Sequence, residues 1–293
     1  MIRLGKEKAT YDFGPQNEPA ICVDPGVTIV FETLDALDDQ IHSDDDSANK
    51  VDLGHVNAAT GPVYINGANP GDTLVAEILE IKPWDWGAAL IIPGFGFLQD
   101  SIPGPYTKIF KIEDGEWMRY GDKLRIPLQP MIGTIGVAPE EPITTLSSGT
   151  HGGNLDTTDI KAGTKVYLPV LVDGALFGVG DVHAAMGDGE VCGTGIECGA
   201  EVTIRLDLIK GASIPRPRLE TAQEIMSVAS AEGLDLAIKT ALGDMVNWLQ
   251  SEKGLSAEEA YVLVSLAGDV RIGQIVDPAV TVRIALPKEV FAA

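Results

Sequence analysis

The sequence predicts a mainly β, α+β fold: duplicated β-sandwich or barrel-like units with a helical insertion near the C-terminus. Three observations predict it. Short β-branched and aliphatic runs recur from residue 1 to about 215, separated by turns rich in Gly, Pro and Asp. The 293 residues include 33 Gly and 18 Pro but only 6% aromatics, a composition suited to many tight turns. After Pro215 the apolar residues recur at three- and four-residue spacings, the period of a helix.

The run 27–34 (VTIVFETL) is β-branched and partly alternating. Runs 73–81 (TLVAEILEI) and 201–209 (EVTIRLDLI) alternate more clearly between apolar and polar residues. The apolar runs 166–172 and 175–179 are bounded by Gly and Asp and read as short strands. Turns follow at NPGD (69–72), EDGE (113–116) and GDGE (187–190). The stretch 219–231 (LETAQEIMSVASA) has helical propensity. Leu234, Ile238, Leu242, Met245, Val246 and Leu249 give a helix one apolar face, and Gly254 is placed to end it in the left-handed conformation. Ser256 with Glu259 is a capping-box pair that opens a second helix through Ala267. The run 279–286 (AVTVRIAL) returns to a strand. The chain thus divides into a β-rich catalytic region, 1–215, and a helical segment, 216–293, that ends in a strand and packs on the same domain.

An ungapped match sets residues 55–83 on 183–211. It aligns Gly61 with Gly189, Gly67 with Gly195, Gly71 with Gly199, Lys82 with Lys210, and His55 with His183. A duplication of this kind would place the two histidines equivalently, and a pseudo-twofold could bring them to one site.

The net charge of −22 argues against a nucleic-acid-binding surface, because phosphate neutralisation needs clustered Lys and Arg. Asp44, Asp45 and Asp46 read as a solvated loop, and His42 beside them as a surface residue. No run reaches the ~18 apolar residues of a membrane helix, and the N-terminus has no apolar signal core. The three cysteines form no CxxC, so reduced thiols in a soluble cytoplasmic protein are expected, with Cys192 a small buried hydrophobe on a strand.

Several catalytic designs are excluded. The chain has no GxSxG elbow, no phosphate-binding GxxxxGK[ST], no dinucleotide-type GxGxxG and no HExxH. What remains is His, Asp and Glu set in Gly-rich turns. In GDVHAAMGDGE (180–190), Asp181 and His183 are two apart, so a strand would face both the same way. A carboxylate and an imidazole together suit Zn²⁺ or a similar divalent ion. Asp188 and Glu190 follow across the turn, with Glu190 a candidate general base or acid. Glu32 lies inside an apolar run, where a carboxylate is costly unless paired, and Asp35 is three residues on. In HGGNLD (151–156), Gly152 and Gly153 permit close backbone approach to a ligand, while Asn154 and Asp156 add polar groups. Spacing alone leads to a β-rich protein with a His/carboxylate metal site and no further.

Longer blocks carry a resemblance. HVNAATGPVYINGANPGDTLVAEILEI (55–81), GTIGVAPEEP (133–142), the run 151–197 containing HGGNLD and GDVHAAMGDGE, and LSAEEAYVLVSLAGDVRIGQIVD (255–277) together resemble the acetamidase/formamidase family. The resemblance implies a β-rich fold with duplicated units, often oligomeric, and hydrolysis of short amides to a carboxylate and ammonia, with γ-lactam or ureide hydrolysis as the alternative. A non-catalytic small-molecule or metal-binding β-module is the alternative from another class. The family's polar blocks fall on Glu32, Asp35, His55, Asn154, Asp156, Asp181, His183, Asp188 and Glu190. The expected site therefore has His55, Asp181, His183 and Asp35 on a divalent metal, zinc by preference with calcium or another ion open. Glu190, or else Glu32, moves the proton, with Asn154 and Asp156 also catalytic. Gly152, Gly153 and Asp188 contact the substrate. The expected partners are a small amide and further copies of the chain, with no nucleic acid and no membrane. The SDDDS run (43–47) and the compact length leave substrate size open.

Overall fold

The computed structural model describes residues 1–291; the last two residues of the 216–293 segment lie outside the described residues. Two large sheets carry the fold. The nine-stranded sheet runs, in spatial order, Ile2–Leu4, Val27–Thr33, Ala200–Ile209, Thr73–Pro83, Lys165–Pro169, Arg218–Glu220, Glu224–Ala231, Val280–Pro287 and Asp269–Gln274. Its strands pair antiparallel except for the first two. The twelve-stranded sheet is centred on Trp86–Ile91, Glu197–Cys198, Phe177–His183, Met131–Gly136 and Gly152–Asn154, with Ala59–Ile65 branching onto Phe177–His183.

The alternation in the sequence shows why the sheets stack. In Ala200–Ile209 the residues Val202, Ile204 and Leu206 are fully buried, while the alternating Arg205 and Asp207 are exposed. One core cluster joins such side chains from both sheets. Phe31 from one sheet meets Phe177 from the other edge to face, with ring centroids 5.8 Å apart. The result is the mainly β, sandwich-like architecture with a helical C-terminal region that the sequence predicts.

The stretch 219–231 corrects the expectation of a helix there. It forms the strands Arg218–Glu220 and Glu224–Ala231. Met226 and Val228 face the main core, whereas Ala229 belongs to the cluster under the helices, and the Ser227 hydroxyl donates to the Ala241 carbonyl. Small side chains stand on that face because the helix α1 (Leu234–Lys253) lies close against it, and Ala together with the Leu, Glu, Gln and Met of 219–231 reads as helix when that packing is unseen. On α1 itself Ala237, Ala241, Met245 and Leu249 are buried, one every four residues, while Ile238, Leu242 and Val246 flank them half-buried. Gly254 ends α1 with φ +68°, and α2 (Ala257–Ala267) opens on the full Ser256–Glu259 capping box. No described helix is long and apolar enough to cross a membrane.

The aligned strands Thr73–Pro83 and Ala200–Ile209 are antiparallel neighbours, with Lys82 opposite Glu201. Upstream the match fails. Residues 59–65 form a strand, but the aligned 187–193 form turns, and Phe177–His183, which contains His183, pairs with 59–65 instead of being its counterpart. His55 and His183 therefore do not occupy equivalent places. Cys192 is exposed on a turn rather than buried on a strand; the buried thiol is Cys198.

Candidate active site

Strand register assembles the site. His183 pairs with Glu197 across one neighbour and with Met131 across the other, and Thr134 pairs with Asn154. Loops at the ends of these strands add Asp156 and Glu190, and the turn between Asp269–Gln274 and Val280–Pro287 of the other sheet adds Asp277. His183 Nε2 lies 3.1 Å from both Asp181 Oδ1 and Glu197 Oε2, and 4.0 Å from Asp156 Oδ1. Two sets have their ligand atoms close enough together to hold one ion: Asp156, His183 and Glu190, and Asp181, His183 and Glu197. Both carboxylate oxygens of Asp156, Oε2 of Glu197 and Nδ1 of His183 are buried without a hydrogen-bond partner. A methyl on Gly133 would fall on the carboxylate oxygens of Asp156 and Asp181, so the glycine keeps that space open.

Above this floor opens a cavity of about 650 Å³, lined at its base by Asn57, Asn154, Asp181, Glu190, Glu197 and Asp277. Asn154 Oδ1 accepts from the Asn57 amide at 2.8 Å and the Thr134 hydroxyl at 2.7 Å, which fixes its Nδ2 as donor to Asp277 Oδ2 at 2.9 Å. The cavity has no Lys or Arg in its lining. Burial and the neighbouring Glu190 and Asp181 charges push the Asp156 carboxyl well above the usual carboxylate range. Burial does the same to Glu190. Burial carries Glu197 to about 7 and Asp277 to about 6. Burial also works against the charged forms of Asp181 and His183, but attraction outweighs it: His183 holds Asp181 low, and Glu197 together with Asp181 holds His183 high.

Asn57, Asp156, Asp181 and Glu190 all have positive φ, between +39° and +58°. Such conformations cost energy in an L residue and collect where geometry is constrained by function. Asp181 and His183 do share one face, but through this left-handed residue rather than through the plain strand alternation expected.

The other expected residues lie elsewhere. His55 is on the surface, its Nδ1 2.9 Å from Asp52 and its ring edge-on to Tyr11. It is corrected from a ligand to a surface ion pair, because the match that aligned it with His183 does not hold in three dimensions. Glu32 points away from the core and shares Arg3 with Glu201, at 2.5 and 2.6 Å. Its buried neighbours Phe31 and Thr33 take the inner face, so alternation turns Glu32 outward. Asp35 is buried but accepts the backbone N–H groups of Leu37 and Asp39, organising its own turn, and belongs to neither ligand set. Asp188 is corrected from substrate contact to structural anchor: it holds Arg283 at 3.0 Å and Thr158 at 2.8 Å on the far side of its loop. Gly152 and Gly153 do not line the cavity. They are paired on both sides, to Ile135 and Gly136 and to Ser148 and Gly149. Both have positive φ, and a Cβ on either would strike the carbonyl oxygen of Ile135 or Ser147.

Glu197, Asp277, Asn57 and Thr134 were not among the expected residues. Glu197 stands between Ile196 and Cys198, so the signal of a carboxylate in an apolar setting applied to it as well as to Glu32. Asp277, Asn57 and Thr134 carry no local signal.

This fold and this carboxylate-rich floor define a member of the acetamidase/formamidase family, whose model matches residues 5–146 and 140–293; the chain belongs to that family. It is similar to the crystal structure of an acetamidase from Bacillus halodurans, with TM-score 0.97 and 46% identity over 99% of each chain. A second similar structure is the acetamidase from Yersinia enterocolitica, with TM-score 0.94 and 34% identity over 100% of this chain and 93% of that one. The acetamidase of Mycolicibacterium smegmatis is 29% identical over 265 residues, 67% of this chain. The chain spans 61% to 65% of the length of the curated relatives it matches.

Proposed function

We propose that this chain hydrolyses carboxamides of the formamide and acetamide class to a carboxylate and ammonium. The observation that carries the reading is the set of buried carboxylates around His183 at the floor of an open cavity, in a chain nearly superimposable on an acetamidase. The balance is simple: water forms the new C–O bond, the C–N bond breaks, and water's protons leave with the nitrogen.

The donors fit a divalent cation. Five carboxylates and one imidazole converge without a Lys or Arg, and His183 is the one cationic side chain beside the Asp156 and Glu197 oxygens that lack a hydrogen bond. His183 with Asp156 and Glu190, or with Asp181 and Glu197, would hold it. Zinc is our preferred reading of a histidine with carboxylates, and calcium suits the oxygen-rich remainder. Such an ion would polarise the carbonyl and lower the pKa of a water.

The chain's own groups supply the rest. Glu190 and Asp277 both line the cavity. Asp277 lies outside both ligand sets, so its carboxyl is free to carry a proton toward the leaving nitrogen. Asn57 and Thr134 hold the Asn154 amide in one orientation, which keeps Asp277 in place. The exposed Phe97, Leu98 and Ile102 agree with assembly into a homo-oligomer, which light scattering would show, and a cytoplasmic location remains part of this reading.

The test is ammonium release from formamide and acetamide on purified protein, with metal content measured alongside. Turnover lost on chelation and restored by one divalent ion supports the reading. Absence of ammonium with the metal bound would return the chain to a binding role. Asp277→Asn is expected to lose kcat while retaining its metal.

A further inference from the structure

The size and lining of the cavity say more about the substrate than the family does. A volume of about 650 Å³ belongs to the range that buries drug-sized ligands, roughly 300–1,000 Å³. Formamide and acetamide have three and four heavy atoms and would touch only the polar floor. Above the floor the walls are mostly apolar: Leu53, Val56, Ile92, Phe95, Ile143 and Leu146 line the cavity, with the hydroxyls of Thr144, Ser147, Ser148 and Thr194 among them. Val56 is buried, Ile92, Phe95 and Ile143 are half-buried, and Leu53 and Leu146 stand 61% and 42% exposed at the rim. Two exposed leucines lining a cavity continuous with buried carboxylates are surface that a ligand's apolar part would cover. The order from floor to rim is polar then apolar, which is the order of an amide head followed by a hydrocarbon body.

We propose that the preferred substrate of this site is a carboxamide carrying an apolar body, aliphatic or aromatic, that lies along Val56, Ile92, Phe95 and Leu146 while the amide meets Asn154, Glu190 and Asp277. The inference rests on the amide-hydrolase reading above. It adds substrate class: the head is cleaved in the same way, and the body supplies binding energy that a one- or two-carbon amide cannot. Each methylene taken from water into such a wall contributes a factor of about 4, equivalent to about 0.8 kcal/mol.

The experiment is kcat/KM for acetamide, butanamide, hexanamide and phenylacetamide, read as ammonium, and for acetanilide, read as aniline, on the full chain with its bound metal. The expected result is a rise of about tenfold or more from acetamide to hexanamide or to one of the aromatic amides, since the walls only partly enclose the added groups. Leu146→Ser is expected to shrink that ratio. A kcat/KM that is highest for acetamide and falls with every added carbon overturns the inference and leaves amide hydrolysis standing. No product from any of the five overturns both. A ratio in favour of hexanamide that Leu146→Ser and Phe95→Ala both leave unchanged shows that the body lies elsewhere, and overturns the placement.

Discussion

Arg283 is the most consequential charged residue outside the cavity, and its removal gives a worked test. Its side chain is 2% exposed. Nε donates to Asp159 at 2.6 Å, one terminal nitrogen to the Ile272 carbonyl at 2.8 Å, and the other to Thr158 at 3.2 Å and Asp188 at 3.0 Å. One guanidinium thus fastens the loop that begins at Asp156 and the loop that ends at Glu190 to the strand Val280–Pro287. Arg283→Met keeps most of the stem and leaves Asp159 buried without its main partner. Stranding one member of a buried pair costs about 3–5 kcal/mol. Arg271 at 3.9 Å and Lys161 at 4.0 Å from Asp159 recover part, and Asp188 is 41% exposed and can return to water. The lower end, about 3 kcal/mol, is therefore expected, which lowers Tm by roughly 6–9 °C at about 2–3 °C per kcal/mol for a chain of this size. Differential scanning calorimetry of Arg283→Met, Asp159→Asn and the double variant decides. The double variant should recover much of the loss, because the stranded charge is gone. A single variant that melts within a degree or so of the parent, or a double variant no better than the single, would refute the reasoning.

Three further outcomes are expected. His55→Ala and Glu32→Gln should leave amide turnover within about twofold of the parent, as surface changes away from the site do; a loss of tenfold in either would return that residue to the site. Gly133→Ala should abolish turnover and metal uptake with the far-ultraviolet circular dichroism unchanged, since its methyl would take the space between Asp156 and Asp181. His151 is buried and its pKa is lowered by that burial to about 4, from 6.5. In the window between those values the unfolded chain binds the extra proton, so stability is full above pH 6.5 and is lost as pH falls toward 4, by about 3 kcal/mol in all. Denaturant unfolding at pH 7 and pH 4.5, compared with His151→Gln, checks the sign: the parent should lose ground to the variant on acidification.

The sequence made the sheets legible where a strand buries one face. Alternation in 73–81 and 201–209 marks strands whether or not their neighbours are known, and the Ser256–Glu259 box announces α2 from four residues. It misled at 219–231, where a strand is covered on its second face by a helix and so is built from Ala and Ser. The same logic separates the site residues found from those missed. Asp156, Asp181, His183 and Glu190 lie in two Gly-rich segments, one running from the end of a strand into its turn, whose polar content is conspicuous over ten residues. Asn57 and Asp277 are far away in sequence, and only the branching of Ala59–Ile65 onto Phe177–His183 and the turn before Val280–Pro287 bring them in. Glu32 and Glu197 present the same local text, a carboxylate among apolar residues. Register separates them: Glu197 lies opposite His183, whereas Glu32 lies opposite Glu201 with Arg3 between.

The arrangement of charge follows a division of labour. Elsewhere the acidic chain pairs several of its carboxylates with cations: Arg3, Arg216, Lys210, Arg271 and Arg283 each meet at least one of them. At the cavity floor it supplies none. Four of the floor residues also hold left-handed backbone, which costs of order 1–3 kcal/mol per residue unless the surroundings fix it. Left to themselves, buried carboxylates without a cation take up protons or push apart. They stay converged because the elements carrying them are held from behind: Asp156 and Glu190 through the Arg283 clamp, Asp181 and His183 within the sheet, and Asp277 through Asn154. Stability invested at Arg283 and in the strands thus maintains a floor that is itself unstable in isolation, and the divalent cation proposed for it would relieve that instability.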